Sequence, residues 1–128
     1  MTRTAEIFIL VVEDEPSILN LVCMNLLARG YQVVTASSGG RALEFLEDET
    51  PELMILDMRL PDVSGWEILE YMNQISSTPA GFPVLVMTAS VMNPEFVISQ
   101  YPCVAEVIIK PFDINSLMSS VQHVLSEN

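Results

Sequence analysis

Short apolar runs and stretches of helical period alternate along this chain, and their spacing predicts its elements before any single residue is weighed. The runs fall at residues 6–12, 31–36, 52–56, 84–87 and 104–109, each bounded by glycine, proline or acidic residues, and runs of that length read as strands. Leu53-Met54-Ile55-Leu56, with no polar interruption, reads as a strand buried on both faces. Between the runs the apolar period lengthens to that of a helix. Pro16 opens the first helix, where its missing N–H costs nothing; Leu19, Val22, Cys23, Leu26 and Leu27 are expected on its inner face, and Gly30 closes it. Ser38 begins the second, with Ala42, Phe45 and Leu46 inward and Glu47-Asp48-Glu49 as a solvated end. The third covers 64–75, with Trp66, Ile68, Leu69 and Met72 available for packing, and residues 76–83 read as loop. Asn93-Pro94 caps a fourth helix that must stop before Pro102 and that β-branched Val97 and Ile98 keep short and marginal. Asp113 caps the last, whose stripe is Ile114, Leu117, Met118, Val121, Val124 and Leu125. Five such alternations predict one α/β domain over residues 1–128: a doubly wound, five-stranded parallel sheet with helices on both faces and right-handed crossovers.

Composition narrows the partners. At 128 residues, half of them apolar, the chain can bury a substantial core. Seventeen acids against five bases leave a net charge of -12, which argues against nucleic-acid backbones and anionic membrane surfaces and favours basic partners. The longest apolar run, residues 7–12, is too short to span a membrane and runs into Glu13-Asp14-Glu15 rather than a small-residue cleavage site, so a cytoplasmic protein without a signal peptide is expected. Cys23 and Cys103 lack the spacing of a disulfide framework or zinc site and read as buried reduced thiols; His123 reads as a surface residue of the last helix.

The strand ends carry the chemistry. A lone Asp after a strand ordinarily starts a turn. Here, however, four of the five strands end in polar groups: Asp14 after the first, Asp57 after the third, Thr88 after the fourth and Lys110 after the fifth. In an open parallel sheet these share one edge, the edge where ligands bind. Glu13, Asp14 and Asp57 gathered there repel one another by about 4 kcal/mol per pair at about 4 Å and an effective dielectric near 20. Lys110, the only lysine, offsets part of this, and a hard divalent cation, Mg²⁺ by the oxygen-only donor set, offsets the rest. A carboxylate beside a cation, an ammonium and a hydroxyl is equipped to attack a phosphoryl group and form an aspartyl phosphate.

In this order and spacing, Val12-Glu13-Asp14-Glu15-Pro16, Leu56-Asp57-Met58-Arg59-Leu60-Pro61 with Gly65, Thr88-Ala89 and Lys110-Pro111-Phe112 closely resemble the receiver domains of two-component response regulators, in particular the single-domain chemotaxis type. The resemblance covers nearly the whole chain. It implies the flavodoxin-like receiver fold with strand order 2-1-3-4-5, and a signalling switch in place of a conventional enzyme. Asp57 would be the phosphoacceptor, charged by a histidine kinase or phosphotransfer protein; at most the domain would catalyse its own phosphoryl transfer and dephosphorylation. Asp14 and Asp57 would be direct Mg²⁺ ligands, Glu13 a ligand through water, and Arg59 a ligand through its backbone carbonyl. Thr88 and Lys110 would contact the phosphoryl oxygens, and Ala89 would leave them room. A cis bond at Lys110-Pro111 and a turn-forming role for Gly65 are implied as well.

One position departs from the family pattern. Receivers usually carry Tyr or Phe three residues before the lysine, and here Val107 stands there. This leaves the phosphorylation chemistry intact and puts in doubt the usual signal to a downstream partner through the surface of the fourth helix, fifth strand and fifth helix. Three other readings compete. A flavodoxin-like cofactor protein needs a Ser/Thr/Gly-rich phosphate loop where Glu13-Asp14-Glu15 stands, and a haloacid-dehalogenase-type phosphatase needs two aspartates two residues apart, whereas Met58-Arg59 follows Asp57. The alternative that remains is a pseudo-receiver, an interaction module without a phosphorylation cycle. With no stretch left for an output domain after Glu127-Asn128, two expectations stand side by side: a stand-alone receiver that works by docking, or a piece cut from a longer protein.

Overall fold

The computed structural model of the chain describes residues 7–75, 81–90 and 92–126. The strands β1 (Phe8–Val12), β2 (Gln32–Ala36), β3 (Leu53–Asp57), β4 (Val84–Thr88) and β5 (Val104–Ile109) form one parallel sheet in the order β2-β1-β3-β4-β5. The helices are α1 (Pro16–Ala28), α2 (Gly39–Asp48), α3 (Gly65–Ile75), α4 (Pro94–Gln100) and α5 (Ile114–Ser126). Glu6, expected at the head of the first strand, and most of the loop expected at 76–83 lie outside the described residues.

Alternation within the strands divides the core in two. Leu10, Val12, Met54, Leu56, Val84 and Val86 pack with Ala42 of α2, Ile68, Leu69 and Met72 of α3 and Val97 of α4. Their neighbours Ile9, Val11, Leu53, Ile55, Leu85 and Met87 pack with Val22 and Leu26 of α1 and Leu117, Met118, Val121 and Val124 of α5. With both faces covered, every residue of β3 and β4 is buried, which is why these strands read as unbroken apolar runs.

The helix ends follow the capping expectations. Gly30 takes a φ of +89° just beyond α1, the backbone region that favours glycine. Ser38 Oγ accepts from the Arg41 N–H (3.2 Å), Asn93 Oδ1 from the Glu95 N–H (2.9 Å) and Asp113 Oδ2 from the Ser116 N–H (3.2 Å).

Two expectations about packing are corrected. Leu27, placed on the inner face of α1 by spacing, is 57% exposed, because it stands about 100° round the helix from Leu26, past the edge of the strip that the sheet and α5 cover. Cys23 and Cys103 are free thiols as expected, but each is only partly buried. Trp66 of α3 likewise keeps 39% of its surface and sets its ring against Tyr101, centroids 6.0 Å apart.

One irregularity bears on the site. Val84 pairs with Val104 but Leu85 with Glu106, so Ala105 is an extra residue in β5. Val104 and Val107 therefore both pack into the cluster that holds Val86 and Val97, while Glu106 turns toward α5 and accepts a hydrogen bond from Ser120 Oγ (2.7 Å).

Candidate functional site at the carboxyl edge of the sheet

The strand order reverses between β1 and β3: β2 lies beyond one and β4 beyond the other. Connections leave such a pair in opposite directions, opening a crevice outside the carboxyl ends. Into it come Glu13 and Asp14, which follow β1, and Asp57, the last residue of β3. Thr88 ends β4 alongside, and Lys110 follows β5. All five side chains singled out from the sequence thus come to one edge, as does Arg59.

Glu13 is completely buried. Its N–H donates to the Ala36 carbonyl (3.0 Å), its Oε2 accepts from the Glu15 N–H (3.1 Å), and its Oε1 accepts from Lys110 Nζ (3.0 Å). Asp57, 4% exposed, accepts the Arg59 N–H on Oδ1 (3.2 Å) and has Lys110 Nζ 3.3 Å from Oδ2. One ammonium therefore serves two desolvated carboxylates. Lys110 is held for this by its own N–H, which donates to the Thr88 carbonyl at 2.7 Å; its bond to Pro111 is cis, as the resemblance implies. Burial pushes the Glu13 carboxyl above its usual range, aided by the Asp57 charge and opposed by Lys110 and the Glu15 N–H. Burial also works against the Lys110 ammonium, but the hydrogen bond to Glu13 and the charges of Asp57 and Glu13 outweigh it and raise its pKa.

Asp14 is exposed, and its carboxylate completes a group in which one oxygen each from Glu13, Asp14 and Asp57 lie within 4.8 Å of one another. Oxygens on a six-coordinate Mg²⁺ stand about 3 Å apart when adjacent and about 4 Å when opposite. The all-oxygen donor set, gathered within 4.8 Å, therefore fits a small hard cation. Thr88 is nearly buried, and its Oγ1 accepts the Ser90 N–H (3.0 Å). Beside Thr88 and Ala89 opens a cleft of about 330 Å³ walled by Met58, Trp66 and Met92.

Gly65 has a different role from the one expected. Gly30 is the positive-φ glycine among the described residues, so Gly65 supplies no special turn conformation. It supplies closeness: a Cβ there would stand 2.5 Å from Met58 Sδ and 2.7 Å from Met58 Cα. Its N–H donates to the Met58 carbonyl (3.0 Å), which draws the start of α3 against the residue that follows Asp57. Asp62 is not singled out by the sequence pattern, yet its Oδ1 accepts from the Gly39 N–H (3.0 Å) and its Oδ2 from the Gly40 N–H (2.9 Å). The one local signal for it is the glycine pair at a helix start, where better helix formers are the rule.

Fold and site together define a doubly wound α/β domain with an acidic, lysine-bridged edge competent for a hard cation. Residues 9–122 match the response regulator receiver domain, and the chain belongs to that family. It is 32% identical over 120 residues to the transcriptional regulatory protein KdpE of Mycobacterium tuberculosis, covering 94% of this chain and 51% of that protein, so the chain spans about half the length of this relative. Among solved structures it resembles a CheY-like receiver domain protein from Methanospirillum hungatei, at 28% identity and a TM-score of 0.83 over 96% of both chains. It also resembles the response regulator TrrA of Thermotoga maritima, solved in complex with Mg²⁺-BeF, at 28% identity and a TM-score of 0.77 over 92% of this chain and 98% of that one. Receiver domains are signalling switches of two-component systems and not conventional enzymes. Among the described residues no helix is long and apolar enough to cross a membrane.

Proposed function

We propose that the chain, residues 1–128, is one receiver domain in which Asp57 accepts a phosphoryl group from the phosphohistidine of a histidine kinase or phosphotransfer protein. The observation that carries this is the sharing of Lys110 by Glu13 and Asp57, two buried carboxylates at the sheet's switch point with Asp14 beside them. An Asp57 oxygen attacks phosphorus, the phosphorus–nitrogen bond breaks, and the imidazole leaves with a proton. Asp14, Asp57 and the Arg59 carbonyl would hold Mg²⁺, with Glu13 acting through water; the cation supplies charge neutralisation of the phosphoryl oxygens. Lys110 Nζ, 3.3 Å from Asp57 Oδ2, would contact those oxygens. Thr88 can join it by releasing the Ser90 N–H, and Ala89 at the mouth of the cleft leaves the group room. The phosphorylated domain alters its binding of a cytoplasmic partner through the α4, β5 and α5 surface.

Acetyl phosphate with Mg²⁺ should add the mass of one phosphoryl group to the wild type, and the label should resist acid yet yield to base and hydroxylamine, as an acyl phosphate does. Asp57→Asn should not be labelled. Persistent labelling of that variant, or none of the wild type, would overturn the reading in favour of an interaction module without phosphorylation.

A further inference from the structure

Seven residues, 58–64, join Asp57 to α3; the near end is tied to the sheet by the Met58 N–H, which donates to the Met87 carbonyl, and the far end to the near end by the Gly65 N–H, which donates to the Met58 carbonyl, both at 3.0 Å. Arg59 lies within this loop, and its N–H donates to Asp57 Oδ1. The position of the Arg59 backbone relative to the phosphoacceptor therefore depends on what holds the middle of the loop: Leu60 and Val63 pack against the core, and Asp62 supplies the polar tie to α2. Its two carboxylate oxygens take the N–H groups of Gly39 and Gly40, at 3.0 and 2.9 Å, while Ser38 takes that of Arg41. These are N–H groups that a helix cannot satisfy internally, at the end where its dipole favours an anion. Hydrogen bonds from Val63, Gly40 and Gly39 accordingly lower the Asp62 pKa.

The seat is shaped as well as charged. A Cβ at Gly40 would stand 2.9 Å from Asp62 Oδ2, and a Cβ at Gly39 would collide with the Val63 carbonyl oxygen and lie 2.7 Å from Val63 Cβ. Two residues that weaken a helix thus occupy its first positions, and the loop rests on the space they leave. A carboxylate that served only as a cap for α2 would need neither the close approach of Val63 nor an origin 22 residues away in the loop that carries Arg59.

We propose that Asp62 is a positioning residue for the Asp57 site: its paired hydrogen bonds to the start of α2 hold the loop at the height that sets the Arg59 backbone against the phosphoacceptor. Its consequence for metal binding rests on the ligand set proposed above; its consequence for the Arg59 N–H does not. Two variants separate this role from helix capping. Asp62→Ala removes the clamp and a cap together, whereas Gly39→Ala improves the helix but displaces Val63.

The test is native-state hydrogen exchange of the Arg59 amide without metal, well below the melting temperature, alongside Mg²⁺ titration followed by Trp66 fluorescence. Both variants should exchange the Arg59 amide faster than wild type by about tenfold, the scale of one lost hydrogen bond, and bind Mg²⁺ several-fold more weakly. Wild-type exchange at Arg59 in either variant would overturn the proposal and leave Asp62 as a cap. If the wild type itself does not respond to Mg²⁺, the ligand set fails, and the Arg59 amide alone decides the clamp.

Discussion

Glu13 is where the energetic tension of the site concentrates, since its carboxylate is sealed from solvent and faces both a like charge and a shared ammonium. Its folded pKa lies above the ordinary 4.5, so between those two values the folded state binds more protons than the unfolded state. Stability therefore falls as pH rises through that window. Lys110 acts at the other end: its raised pKa contributes stability that is present below 10.5 and lost as pH rises through the folded value. Glu13→Gln should flatten the first slope in metal-free urea unfolding and weaken the alkaline contribution of Lys110. Parallel pH profiles for the two proteins would mean that the charge of Glu13 does not set this dependence.

At the scale of elements, α4 has an asymmetric attachment. Its seven residues are capped at one end by Asn93, while the other end is tied to α3: Asn73 Nδ2 donates to the Gln100 carbonyl (3.2 Å), and the Tyr101 hydroxyl donates to Glu70 Oε2 (2.8 Å) beside the Trp66 ring. Only Val97 of α4 is buried. Val107 packs beneath it and would have no ring to move if Thr88 shifted toward a phosphoryl group. The free end of α4, next to the cleft, is then the element that can respond. Amide exchange on phosphorylation should change most over residues 92–97, and Val107→Tyr should give the larger and more two-state response, because an added ring creates a differential interaction between the two states. An equal response in both proteins would make the missing aromatic inconsequential.

At the scale of the whole chain the excess of acids acts collectively. A net charge of -12 on a domain this small opposes its own compaction. Raising NaCl toward 0.15 M, where the Debye length is about 8 Å, should raise the melting temperature by screening that repulsion. Mg²⁺ at millimolar concentration should raise it further at constant ionic strength, and Asp14→Asn should remove this second gain while keeping the first. A melting temperature indifferent to NaCl would show that the excess acids are already relieved locally.

The alternation of elements, the caps at Ser38, Asn93 and Asp113, and the placement of Asp14, Asp57, Thr88 and Lys110 at strand ends were all legible in the sequence, because apolar period and chain direction are local properties that a parallel sheet converts into one shared edge. Strand order came by resemblance, since pairing is decided between segments far apart. The tertiary structure alone decided that Glu13 is sealed and shares an ammonium 97 residues away, that Ala105 bulges to bring Val107 beside Val104, and that Leu27 faces solvent. It also decided that Gly65 serves closeness and that Asp62 reaches α2. Each of these depends on the distance between backbones brought together by packing, a quantity that no periodicity along one chain encodes.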